Sequence, residues 1–182
     1  PASETFLGKE FLVYEKRLER QVKHRKTQEI FGKLNAAVGN WNAHRFAYSK
    51  VNWQKFSENF VKKLGLKPNL ISTQIEPHDY MSELFDTMAR IIIIRLDFNQ
   101  DIWLYVSHEI FILKKSETSV GSSVLPHKVN PIEFENAEGN LGLANSMLRF
   151  MSQKLLISRL QRDLSDSTIM RNIGVAFGYS YL

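Results

Sequence analysis

Residues 121–135 read Gly-Ser-Ser-Val-Leu-Pro-His-Lys-Val-Asn-Pro-Ile-Glu-Phe-Glu and bring hydroxyls, a lysine and an asparagine together just ahead of an expected helix. A glycine precedes two hydroxyls, Ser122 and Ser123; Lys128 and Asn130 follow, and a helix is expected from Pro131. Free amides and the dipole at a helix N-terminus attract anions. Lys128 adds a full positive charge and Asn130 a side-chain donor. Together they would hold a carboxylate and stabilise the charge of a carbanion formed beside it. The same residues also make an ordinary helix start, with Asn130 as N-cap, Pro131 at the first helical position and Glu133 three residues after the cap.

A second group comprises Ser158, Arg159, Arg162, Ser167, Thr168 and Arg171. Three guanidiniums and several hydroxyls near a helix start suit a phosphate, because Arg recognises such groups bidentately. Against this stands a solvated helix edge on which Arg162 and Asp163 simply pair with neighbours. A third string runs Gln74-Ile-Glu-Pro-His-Asp79. Glu76, His78 and Asp79, with His108, have the donor types of a metal site, but Pro77 fixes an extended turn and no HExxH-like spacing accompanies it. No metal is expected. His24, between Lys23 and Arg25, belongs to a solvated face, and Trp41, Trp53 and Trp103 read as core or interface residues.

These groups need a scaffold, and the composition bounds it. The chain has 182 residues, enough for one domain with a sizeable core and too few for a large multidomain enzyme. Hydrophobic residues make up 43%, which argues against disorder, and the scarcity of glycine (9) and proline (5) argues against a turn-rich β-sandwich. Without any cysteine, disulfides, Cys-based zinc sites and thiol catalysis are excluded, and a reducing compartment fits. The longest aliphatic run, Ile91 to Ile94, is far short of the ~20 residues of a membrane span, and the N-terminal residues do not resemble a signal peptide. A net charge of +5 favours anionic partners. No nucleic-acid motif accompanies it.

The pattern is helical almost throughout, with no convincing strand. A helix is expected over about 6–34, a looser stretch at 39–44, a short amphipathic helix over 53–64 ended by Gly65 and Pro68, and a loop over 66–78. The segment 79–115 is the strongest signal. Met81, Phe85, Met88, Ile92, Leu96, Asn99, Trp103, Val106, Ile110 and Leu113 follow a three-and-four spacing, the seam of a long helix. Ile91, Ile93, Ile94, Phe98, Ile102 and Tyr105 widen the apolar surface, so this helix must be covered on several sides. Only a long bundle, or an oligomer of bundles, offers that many partners. A polar connection over 116–130, a helix over 131–155 and a last helix from near Asp166 complete the reading. The fold class is all-α, an elongated helical bundle.

Residues 121–135 resemble the signature loop of the fumarase/aspartase superfamily, GSSxMPxKxNPxxxE, with Leu125 in place of the usual Met; that swap nearly conserves volume. The strings at 73–79, 134–142 and 158–167 resemble the adenylosuccinate lyase family, especially its bacterial-type branch, and the similarity runs over essentially the whole chain. The resemblance implies the central helical domain of that lyase fold. It implies elimination of fumarate from adenylosuccinate to give AMP, and from the related succinyl-carboxamide ribotide. By motif position it implies Ser122 as the base, with Ser123 the less favoured choice and a substrate contact. Lys128 and Asn130 would bind the fumaryl carboxylates, and Glu135 would support a neighbouring subunit's histidine. Arg162, Ser167 and Arg171, with Ser158 and Arg159 of the same pattern, would touch the nucleotide, and Gln74 the substrate.

The family uses no metal or organic cofactor. A cytoplasmic homotetramer with shared active sites follows as an expectation, with no nucleic-acid or membrane partner. Pro1 and Ala2 resemble the tail of the family's His-Gly-Gln-Pro-Ala motif, so the chain is expected to lack the general-acid histidine and the family's N- and C-terminal domains. Two alternatives stand: another fumarate-forming lyase, such as argininosuccinate lyase or a fumarase, and an inert helical oligomerisation core.

Overall fold

A computed structural model describes residues 3–113 and 131–182. Among them the chain forms seven helices and one minimal sheet: α1 (Leu7–Thr27), β1 (Phe31–Gly32), α2 (Asn42–Ala47), α3 (Trp53–Lys63), β2 (Lys67–Pro68), α4 (Asp79–Ser107), α5 (Ile132–Lys154), α6 (Ser165–Met170) and α7 (Ile173–Tyr181). The all-α reading holds, and the fold is a helical bundle built on the α4–α5 pair, with α1 against α4 and α7 against α5.

The expected seam of α4 is the core over most of its length. Phe85 and Ile92 are buried and meet Leu141, Ala144, Leu148 and Met151 of α5, Ile169 of α6 and Ala176 of α7. Asn99, the one polar residue in the seam, is buried too, and its Nδ2 donates to the carbonyl of Phe134. Burying that amide without a partner would cost ~1–3 kcal/mol, so its position is fixed by this bond. α1 buries no residue fully. It lies on α4 through Phe11 against the Phe98 ring, Tyr14 donating to Asp101 at 2.5 Å, and the ion pair of Arg17 with Asp97.

Several boundaries differ from the expected ones, each through a tertiary contact. The first helix stops at Thr27 rather than near Leu34, because Gln28 is extended and its amide donates to Glu83 O at 3.0 Å and Thr87 Oγ1 at 2.7 Å on α4. The chain beyond it pairs in parallel with Lys67–Pro68, the one strand pairing among the described residues. The stretch at 39–44 is not uniformly loose: α2 begins at Asn42. Helix α4 ends at Ser107, not at 115. Glu109 takes a positive φ of 58°, and the amides of Ile110 and Phe111 turn back to Tyr105 O at 2.9 and 3.1 Å. Helix α5 starts one residue late, so Pro131 is its cap and not its first turn. The last helix is two, α6 and α7, separated at Arg171 and Asn172. By contrast α3 begins and ends as expected, with Asn52 Oδ1 accepting from Lys55 N at 3.0 Å and Gly65 following in the left-handed region at φ 77°.

Candidate functional site

The loop that carries Gln74 is braced from below. Lys33 Nζ donates to the carbonyls of Ala36 (3.0 Å), Thr73 (2.8 Å) and Gln74 (2.6 Å), and burial holds its pKa below the ordinary lysine value. Asn35, fully buried, donates to Ser72 Oγ at 2.7 Å. Gly39, at φ 79°, passes so close that a Cβ would lie 1.9 Å from Ser72 O, so no other residue fits there. Trp41 sits in the left-handed region and offsets that strain by burying its indole, whose Nε1 donates to Leu34 O at 2.6 Å and Ser57 Oγ at 2.7 Å. With its backbone held in this way, the Gln74 side chain is exposed and available to a ligand.

Four residues on, the same loop meets the arginine group. His78 is buried, and its Nε2 lies 3.6 Å from Oδ2 of Asp166, also buried. The other oxygen of Asp166 lies 3.6 Å from Nη2 of Arg162 and accepts from the Ser167 amide at 2.7 Å. Residues 158–164 are irregular rather than helical, with Leu160 at a positive φ of 50°. Asp163 is the hub of that turn. It accepts from Ser165 Oγ at 2.5 Å, from Ser165 N at 2.9 Å and from Arg159 Nη1 at 3.1 Å, and its amide donates to Ser158 Oγ at 3.1 Å. The Ser165 bonds, chiefly, hold its carboxyl down at about 2. Arg159 and Arg162 therefore do pair with neighbouring carboxylates, as a solvated edge would. They also present exposed guanidiniums on one turn, with Ser167 half-buried beside them and Arg171 exposed at the end of α6.

Glu135 is elsewhere. It lies on the first turn of α5, exposed, with Oε1 accepting from Trp103 Nε1 at 3.1 Å. Together with Gln100, Leu104 and Glu138 these two line an open groove of about 450 Å³. Ser122, Ser123, Lys128 and Asn130 lie outside the described residues. Their attachment point, Pro131, adjoins this end of α5. The two ends are far apart. His78 caps α4 at one end, while Asn99, bonded to Phe134, is twenty-one residues further along the same helix. At ~1.5 Å per residue that is ~31 Å.

Sequence reasoning named His78 only as a rejected metal ligand and passed over Asp166. Among the described residues no group of three or more acidic or His side chains is placed to hold a metal ion, and no helix is long and apolar enough to cross a membrane. The spacing of Arg162 and Asp166, four residues apart, was the available clue to their pairing. Nothing local links either of them to His78, eighty-eight positions before Asp166.

Comparison with known proteins agrees with the family resemblance over the whole chain. The chain is 51% identical over 182 residues to adenylosuccinate lyase of Escherichia coli (strain K12), covering all of the chain and 40% of that protein. It is 52% identical over 179 residues to adenylosuccinate lyase of Haemophilus influenzae, covering 98% of the chain and 39% of that protein. It is also 51% identical over 183 residues to adenylosuccinate lyase of Vibrio cholerae. The chain thus spans about 40% of the length of the curated relatives it matches. The sequence model of the family described as "Lyase" matches residues 1–145, through the serine-bearing segment and into α5, and by that match the chain belongs to the lyase family.

Proposed function

We propose that the protein carrying this chain is an adenylosuccinate lyase. It would eliminate fumarate from adenylosuccinate to give AMP, and from the succinyl-aminoimidazole-carboxamide ribotide of purine biosynthesis. The observation that carries this reading is the string at 121–135, which departs from the superfamily loop at Leu125 alone, in a chain alike over its full extent to adenylosuccinate lyases. The arginine turn supports the nucleotide substrate, because Arg159, Arg162 and Arg171 offer charged donors beside Ser158 and Ser167, the donor set a phosphate takes.

In the proposed reaction, Ser122 takes the proton from the carbon next to a carboxylate. The electron pair left behind forms the double bond of fumarate as the carbon–nitrogen bond breaks, and the departing nitrogen is protonated by a histidine acting as general acid. Lys128, Asn130 and Ser123 hold the carboxylates and stabilise the carbanion, Gln74 contacts the substrate, and Glu135 orients the histidine of a neighbouring subunit. An unperturbed serine is a very poor base, so its use demands a closed site rich in amides and cations that favours alkoxide. No cofactor is invoked.

A homotetramer with shared sites is part of the proposal, as is a cytoplasmic location, which the absence of cysteine suits. Two observations support the assembly. The end of α5 that adjoins the signature segment is ~31 Å from the arginine turn. Apolar side chains on the α4–α5 layer are also uncovered, among them Ile93, Trp103, Leu104, Leu143 and Phe150.

The test is Ser122→Ala beside Ser123→Ala in the complete protein. Loss of a general base costs ~10²–10⁴-fold in turnover; Ser122→Ala should lose at least that with substrate binding nearly intact, and Ser123→Ala should lose less. Turnover of Ser122→Ala within about threefold of wild type would reduce the segment to a helix start.

A further inference from the structure

Two features of His78 are unexplained by folding. It occupies the N-cap of α4, yet its side chain makes no capping hydrogen bond, where Ser, Asp or Asn would stabilise the helix. It is also buried, and among the described residues neither ring nitrogen has a hydrogen-bond partner. A buried imidazole left so costs free energy that an apolar side chain of similar size would not. The nearest charged group to its ring is Asp166, 3.6 Å from Nε2.

Asp166 makes one hydrogen bond and has two ionisable neighbours just outside hydrogen-bond distance. The Ser167 amide donates to Oδ1 at 2.7 Å, Arg162 Nη2 stands 3.6 Å from that same oxygen, and His78 Nε2 stands 3.6 Å from Oδ2. Both longer distances are 3.6 Å, short of hydrogen bonds but close enough for charge attraction. A buried carboxylate with a fixed orientation then dictates the direction of the one guanidinium that reaches it. Arg162 has five N–H donors and Asp166 occupies only one edge of them, so the outer edge stays free for an anion.

We infer that His78 is a positioning residue: through Asp166 it aims the Arg162 guanidinium at the phosphate of the ligand, a role that rests on the nucleotide reading above. It joins the string at 74–79 to the arginine turn. Its action is on affinity rather than chemistry.

The experiment is a double-mutant cycle on adenylosuccinate cleavage in the complete protein, comparing His78→Leu, Arg162→Ala and the pair. His78→Leu should raise KM about tenfold, the order expected when one charge-assisted contact is misaimed, while kcat falls far less. In the Arg162→Ala background the same change should add little, because its target is gone. His78→Gln, which can return an amide donor to the Nε2 position, should recover most of the lost affinity. Where His78→Leu does not fold, His78→Asn, too short to reach Asp166, replaces it with the same expected KM. A folded His78→Leu or His78→Asn variant with unchanged KM overturns the inference. So does an equal effect in both backgrounds, or a Gln variant as impaired as Leu, which would mean ring shape alone. Should Arg162→Ala itself leave KM unchanged, the phosphate reading fails first, and that outcome is distinct from all of these.

Discussion

Mixing two impaired variants tests the geometry directly. Asp166 is held at His78, at the start of α4, while Phe134 is held by Asn99, ~31 Å along the same helix. Ser122 lies nine residues before Pro131, and nine residues reach at most ~32 Å fully stretched. Within one chain the serine could meet the arginine turn only by running nearly taut along the whole bundle, with no length left to fold around a substrate. A second copy in the opposite sense would bring its serine segment to the same place without stretch. If each site takes its serine and its arginines from different subunits, a one-to-one mixture of Ser122→Ala and Arg162→Ala protein leaves both parts intact in about a quarter of sites. Fumarate release, measured well below KM after subunit exchange, should therefore approach about a quarter of the wild-type rate. The parents should retain about a hundredth or less for Ser122→Ala and about a tenth or less for Arg162→Ala. Verified mixed oligomers that do no better than the average of the parents would refute the reasoning and place both parts in one chain.

Two further outcomes follow from the described residues. Leu148 is fully buried between α4, α5 and α7, so Leu148→Ala should destabilise the protein by ~2–5 kcal/mol in urea unfolding, with the KM of the folded enzyme unchanged; a loss under ~1 kcal/mol would mean the site collapses or is not core. Asp163 is held at about 2, below its ordinary value of 3.8, by the Ser165 hydroxyl and amide. A depressed carboxyl stabilises the fold above its unfolded pKa, and that contribution is lost as pH falls from about 4 to about 2. Ser165→Ala should raise the Asp163 pKa toward the ordinary range in an NMR titration of the carboxyl carbons, and an unmoved value would show that the hydroxyl is not the cause.

Legibility of the sequence divides along the range of the forces involved. Helix α3 was readable because its signals are local: Asn52 caps it and Gly65 ends it. The core face of α4 was readable because periodicity reports burial directly, and Phe85 and Ile92 are buried as the seam requires. Where a helix stops for a tertiary reason, the pattern misleads. Nothing near Thr27 breaks a helix; Gln28 leaves it to bond Thr87 on α4. At Ser107 the apolar spacing runs on through Ile110, but the chain turns back onto Tyr105. The site divides in the same way. The Ser122 to Glu135 string and the arginine turn are contiguous and could be read residue by residue, whereas the meeting of His78 with Asp166 is a product of folding and has no signature in either segment.

The two arginine–carboxylate pairs differ in a way that ranks the arginines as ligand contacts. The Arg159 side chain is 83% exposed, so its guanidinium lies in solvent although it bonds Asp163, itself 16% exposed, at 3.1 Å. Such a pair contributes little and exchanges freely with water, so Arg159 reaches a ligand only at the cost of ordering a long side chain. Arg162 meets a carboxylate that is 9% exposed and fixed from the Ser167 amide. Its own side chain is 31% exposed, so part of its surface is already out of water while an outer edge remains open. A guanidinium ordered before the ligand arrives loses less entropy on binding, and a contact in a drier setting is screened less. The same neighbours that would make a solvated edge around Arg159 therefore make a prepared anion contact of Arg162. If this turn binds the phosphate, Arg162, with the buried pair behind it, should dominate the affinity, and Arg159 should be a peripheral contact whose contribution falls first as salt is added.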